Sequence, residues 1–291
     1  MPYAWHAICV QAGDEWSRLR TALAEIGKGA VMALNEIVRM HEDLEGSLKK
    51  PIAERSWIMV IDIRKCVGDH ACAVSCMAEN ACPPETSYRK VFETEYKTFP
   101  ELDSFFMPAN CQHCDNPPCK KAADKSAKGA IEKRKDGIVV FNYAKLTKSG
   151  KAMEAAKKAC PYYAIVEDKG GFYTDGTPVL EPYETRDFYE YDKKLNRKKG
   201  DAKGSIRKCT FCPHRLESGM LPACVGTCIG RAMYFGDKND PSSLVSELLK
   251  KEKTWNLKAS LGTQPRVYYI GYEDRTKISV GTPASCTACH Q

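Results

Sequence analysis

Fifteen cysteines stand in this chain of 291 residues, and most of them fall in tight groups. No other feature constrains the fold as much. Thiols a few residues apart suit a shared metal or cluster, whereas disulfides usually tie distant segments. A chain built on such groups must wrap its loops around each of them. Four runs can be read. The first is Cys66-x2-Asp69-x2-Cys72-x3-Cys76, and the second, CQHCDNPPCKKAA, holds Cys111, Cys114 and Cys119. The third, KACPYYAI, keeps a Cys160-Pro161 ending, and the fourth, CTFCPHRLESGMLPACVGTC, holds Cys209, Cys212, Cys224 and Cys228.

These spacings approach the ferredoxin run C-x2-C-x2-C-x3-C-P, in which three cysteines hold one cluster and the fourth reaches across to another. Soft thiolate donors match iron–sulfide chemistry. The gaps in the runs are consistent with one another. Counting back from Cys160 puts the expected third-run ligands at Gly150, Met153 and Ala156, and the missing fourth member of the second run at Ala123. If run one pairs with run four, and run two with run three, all four ligands of one cluster are gone together. Three sites remain: Cys66, Asp69, Cys72 and Cys228; then Cys209, Cys212, Cys224 and Cys76; then Cys111, Cys114, Cys119 and Cys160. The other pairing leaves the first site with Cys66, Asp69 and Cys72 and strands Cys228. We therefore expect two all-cysteine 4Fe–4S clusters. At the Asp69 site we expect either a 4Fe–4S cluster with a carboxylate ligand or a 3Fe–4S cluster with Asp69 free. Zinc ribbons are the rival for any single CxxC, but they use paired ligands rather than triplets closed by a distant Cys-Pro.

Around the runs the chain alternates helical and strand signals, so an α+β fold is expected. Residues 1–55 read as a helical extension. Asp14 would cap a first helix carrying Trp16, Leu19, Leu23 and Ile26, and a second would run through Met32, Leu34, Ile37, Val38 and Leu44 to Gly46. Residues 56–240 form the cysteine-bearing body, opening on a strand, WIMVIDI, and carrying a Tyr-, Gly- and charge-rich insertion at 171–205. Residues 241–291 follow, with a helix started by Asp240-Pro241, a strand around RVYYIGY, and a tail.

The phrases CQHCDNPPC, CPYYAI, KCTFCPHRLESGMLPACVGTC and RAMYFGD resemble the iron–sulfur (beta) subunits of molybdopterin oxidoreductases of the dimethyl sulfoxide reductase family. The resemblance covers about residues 56–240. Loss of the third run, and LGTQPRVYY at 261–269, are similar to a three-cluster relative, the small subunit of pyrogallol–phloroglucinol transhydroxylase. The resemblance implies a ferredoxin-like body of two pseudo-repeated cluster-binding units. It also implies a large molybdenum- or tungsten-pterin catalytic partner, and a membrane-anchor or cytochrome redox partner. Electron transfer between the catalytic subunit and an external partner is then the expected role. A transhydroxylase-like complex without net electron flow is the alternative, and a zinc-bearing structural or nucleic-acid-binding protein the remote one.

Other features add less. The tail motif Cys286-x2-Cys289-His290 has the form of a c-type haem attachment site; a flexible tail with a thiol pair is the competing reading. Cys9 and Cys82 lie outside every run and read as buried apolar thiols. His70 and His113 stand beside the expected ligands. The 44 basic and 37 acidic residues leave a net charge of +7, spread along the chain, which favours a solvated surface over nucleic-acid binding. We find no Ser/His/Asp constellation and no phosphate-binding glycine loop, so catalysis is expected in a partner. No signal peptide or membrane span is expected. That favours the cytoplasm, with export to the periplasm on a partner's signal as the alternative.

Overall fold

The computed structural model describes residues 35–84, 86–96, 100–101, 103–171, 173–179, 181–185 and 203–272. The chain divides into two units, residues 1–39 and 40–291. Of the first, residues 35–39 are described and are helical. The helix expected around Trp16, Cys9, most of the 171–205 insertion and the Cys286–His290 tail lie outside the described residues.

The larger unit begins with α1 (residues 40–48), β1 (Trp57–Asp62), α2 (Ala71–Glu79), β2 (Lys90–Tyr96) and β3 (Asp103–Ala109). It continues through α3 (Pro118–Asp124), β4 (Ile131–Lys133), β5 (Val139–Phe141), α4 (Tyr143–Leu146), α5 (Gly150–Ala159) and β6 (Val166–Glu167). After these come α6 (Pro182–Thr185), β7 (Ile206–Arg207), α7 (Pro213–Glu217), α8 (Ala223–Gly226) and β8 (Met233–Asp237). The last elements are α9 (Leu244–Lys251), β9 (Thr254–Trp255) and β10 (Val267–Ile270).

The expected strand WIMVIDI becomes β1, an inner strand of a four-stranded sheet ordered β8-β1-β10-β9. It runs antiparallel to β8 and parallel to β10. Both of its faces are covered, which is why it reads as a continuous apolar run rather than an alternating one. Trp57 stacks on Phe235 of β8 at 5.6 Å, and Phe235 meets Phe211 edge-on. This aromatic chain joins the sheet to the cysteine loop at 209–212. Where the sequence suggested a boundary near residue 55, residues 40–55 sit in the larger unit, because Met40 and Leu44 are buried in its core.

α9 starts later than Asp240-Pro241 suggested. The Asp240 carboxylate turns back to accept from Ser242 N at 3.0 Å, closing a tight local turn. Ser243 becomes the cap, its hydroxyl accepting from Ser246 N, and the Asp43 carboxylate accepts from Leu244 N at 2.8 Å.

α3 and α5 pack against each other. Pro118 begins α3, where its missing N–H costs nothing, and the Ser149 hydroxyl caps α5 by accepting from Ala152 N at 3.2 Å. Ala123, Ala152 and Ala156 are fully buried in one core with Ile131, Val139, Leu146 and Ile165, and Met153 packs against it. Small side chains at such a contact let two helices approach closely. The positions expected to have lost a cluster's ligands are thus Ala123 and Ala156 inside a closed apolar core, Met153 at its margin, and exposed Gly150 in the first turn of α5.

Candidate metal centres

Every described cysteine is a free thiol, and all but Cys66 are buried. Their electrostatic neighbours are largely one another, both within the three expected sets and between them. Cys66 lies near Cys228 and Asp69, and Cys72 near Cys66 and Cys228. Cys76 lies near Cys209, Cys212 and Cys224. Cys114 and Cys119 lie near Cys111 and Cys160. The sets also influence one another: the thiol that acts most on Cys72 is Cys224, and the one that acts most on Cys209 is Cys111, so the second set has neighbours in both of the others.

Local structure explains how the chain reaches this arrangement. After β1 the backbone passes through Gly68 at φ +71°, where a Cβ would stand 2.5 Å from the Phe106 ring, so a side chain there would be strained and would clash. His70 also takes a positive φ, and α2 starts directly after it. Four residues apart on α2, Cys72 and Cys76 share its buried face, while Val74 points outward. Cys224 lies on α8, with Cys228 just beyond its end; Ser75 and Thr227 link α2 to that end at 2.7 Å.

The second group lines a small pocket together with Met59, Asn80, Arg89 and Phe211. The third lines another with Pro117, Pro118, Pro161, Ile165 and Lys208. A single zinc bound at ~2.3 Å from each sulfur would need four thiols drawn to one point. Among the described residues no such convergence occurs; the thiols instead border a space. Several N–H groups already face these sulfurs. Asn80 Nδ2 lies 3.5 Å from Cys76 Sγ, Asn110 Nδ2 3.5 Å from Cys209 Sγ, and Ala232 N 3.2 Å from Cys228 Sγ. Donor type, spacing around a cavity and N–H donors to sulfur all fit a polynuclear iron–sulfur group. Such hydrogen bonds to sulfur are among the means of tuning a cluster.

Burial pushes the thiols of Cys72, Cys114 and Cys119 up to about 12, and that of Cys209 up to about 11. Free of metal they hold their protons, and loading the site must release them.

Asp69 is exposed, and its Oδ1 accepts from Ala71 N at 2.7 Å at the start of α2. It stands on the same side as Cys66, the half-buried thiol. His70 is exposed. His113 is fully buried: its Nδ1 accepts from Val139 N at 3.1 Å, and its ring stacks on Phe211 at 3.8 Å. Burial, with Lys208, Lys133 and Arg266 nearby, holds the imidazole well below its usual range, so it is neutral. Cys82, nearly fully buried, lies next to Cys76.

Sequence reasoning missed two buried cations that border the thiol-lined pockets. Arg89 borders the second cavity, with Nη2 3.3 Å from Cys224 Sγ. Lys208 borders the third and donates to the carbonyls of Val139 and Cys209. Lys208 could have been noticed, because it directly precedes Cys209. Nothing near Arg89 in the sequence marks it.

Comparison with known proteins adds the last observations. The family described as a 4Fe-4S dicluster domain matches residues 102–174 and 191–238. The chain is similar to the B subunit of selenate reductase from Mesobacillus selenatarsenatis, at 46% identity over 235 residues, covering 80% of this chain and 78% of that one. It is similar to the arsenate respiratory reductase iron-sulfur subunit ArrB of a Shewanella species, at 35% identity over 73% of this chain and 94% of that one. The B subunit of tetrathionate reductase from Salmonella typhimurium is 32% identical over 75% of this chain and 73% of its own length.

Proposed function

The chain belongs to the iron–sulfur beta subunits of molybdopterin oxidoreductases, and from that premise we propose that it carries electrons through three clusters in a row. The serial electrostatic coupling of the three thiol sets carries this proposal. The first site uses Cys66, Cys72 and Cys228 with Asp69, the second Cys76, Cys209, Cys212 and Cys224, and the third Cys111, Cys114, Cys119 and Cys160. Clusters held there supply one-electron exchange, at potentials that span roughly −700 to +450 mV according to charge, hydrogen bonds and exposure. The crossed use of Cys76 and Cys228 is what a body of two pseudo-repeated units would give.

The chain's own residues position and insulate these sites. α2 and α8 hold the thiols of the first two, and the closed core around Ala123 and Ala156 ends the row beyond the third. Three exposed apolar side chains stand one or two residues from first-site cysteines: Val67 at 59%, Val74 at 64% and Ile229 at 70% exposure. Such a rim supports docking of the molybdenum- or tungsten-pterin catalytic subunit at that end. The named relatives are subunits of reductases of selenate, arsenate and tetrathionate, which favours an oxyanion substrate for that partner and net electron flow over transhydroxylation. A membrane or cytochrome subunit would then exchange electrons at the other end.

Iron and acid-labile sulfide analysis tests the proposal. About twelve iron atoms per chain are expected from three four-iron clusters, or about eleven if the first holds three. Zinc in place of iron, with no visible absorbance, would overturn it. Oxidised protein giving a 3Fe signal that disappears on iron addition would place Asp69 as a replaceable ligand.

A further inference from the structure

Arg89 is fully buried, and its immediate surroundings are sulfur. Nη2 lies 3.3 Å from Cys224 Sγ and 3.1 Å from Met59 Sδ. The thiols of Cys72, Cys209 and Cys76 are its other close electrostatic neighbours, so it faces the first and second groups together. Nε and Nη1 are buried with no hydrogen-bond partner. Lys208, at the third group, contrasts with it, because its ammonium is met by two backbone carbonyls.

A buried guanidinium keeps its charge, and leaving it without a counter-charge is costly. Unpartnered N–H groups of the same side chain add to that cost. Both facts make sense if negative charge and acceptor sulfur fill the space that Arg89 borders. Resting on the cluster assignment above, we propose that Arg89 is a positioning residue that sets the potentials of the first two clusters. It does so as a fixed positive charge between them and as an N–H donor to their sulfur. A site lined by thiolates becomes more negative by one unit when it takes an electron, with no bond made or broken. A fixed cation beside it favours that reduced form and makes the two sites easier to reduce. The third site, outside its immediate neighbours, should be indifferent.

The test is an EPR-monitored redox titration, with iron counted in the same samples, on the protein purified with its partner subunits. Arg89→Met removes charge and donors. At fixed solution potential it should cut the reduced-to-oxidised ratio of the first two clusters at least tenfold, a downward shift of at least about 59 mV for one electron, with the third unmoved. Arg89→Lys keeps the charge and loses the fork, and should lower both potentials by less. If Arg89→Met loses iron, Arg89→Lys decides. Full iron with unchanged potentials overturns the role of Arg89, as does an equal shift in all three clusters. Wild-type protein without iron would instead overturn the cluster assignment itself.

Discussion

On the proposed assignment, two places in this molecule depart from a full set of cluster ligands, and they depart in opposite ways. At the proposed first site Asp69 stands where a ferredoxin run has a thiol, and the loop around it is kept. Gly68 keeps its left-handed backbone against Phe106, Cys66, Cys72 and Cys228 stay together, and the loop stays open to solvent. At the fourth position, by contrast, the space itself is gone. Ala123 and Ala156 are fully buried in a continuous apolar core, and Met153 packs against it. Substituting a ligand leaves a cavity and its loop in place; abandoning a site lets packing close over it. The filled volume, more than the missing thiols, is what separates the two.

Three experiments bear on that contrast. The largest effect should come from overfilling the closed region. Ala156→Leu should destabilise by about 1–3 kcal/mol, read from denaturant unfolding of the loaded protein, since a packed core has no room for added methylenes. A neutral result would mean that space remains there. Asp69→Ala comes next. It removes the acceptor for Ala71 N, a local turn bond ahead of α2, and should cost about 0.5–1.5 kcal/mol, as loss of a single hydrogen bond does. In the same variant the first site should give up iron to a chelator sooner than the other two, followed by EPR. Loss at the same rate as in wild type would separate Asp69 from iron. The smallest effect should be no gain at all. Restoring thiols at 123, 150, 153 and 156 together should leave iron near its wild-type count. A rise to about sixteen irons would show that the core can reopen and would break the contrast.

Much of this was legible in the sequence because ligand chemistry is local in spacing. Cys72 and Cys76, or Cys209 and Cys212, declare themselves within a few residues, and so does the joint absence of donors at 123, 150, 153 and 156. β1 was equally readable, since a run of apolar residues with no alternation needs both faces covered. The start of α9 was not, because two candidate caps competed and Asp240 found its acceptor role in a turn instead. The buried cations were illegible for a deeper reason. Arg89 becomes buried through sulfurs that the chain supplies more than 100 residues away, at Cys209 and Cys224, and no local pattern announces such an environment. The tail motif at Cys286, Cys289 and His290 falls beyond the described residues, and the sequence reading of it stands as an expectation.

One arrangement has a mechanical consequence. On the proposed assignment α2 gives Cys72 to the first site and Cys76 to the second, while the segment of α8 gives Cys224 to the second and Cys228, past the helix end, to the first. The α2 pair is four residues apart, a rise of about 6 Å along a helix. The separation of the two sites is therefore gauged by helical pitch on the α2 side, like a ruler laid between them. Loop motion around Asp69 can change how firmly an iron is held, but it cannot stretch that interval. Evolution can retune either terminal's affinity for electrons by exchanging a side chain, while the distance an electron must cross stays set by hydrogen-bonded backbone.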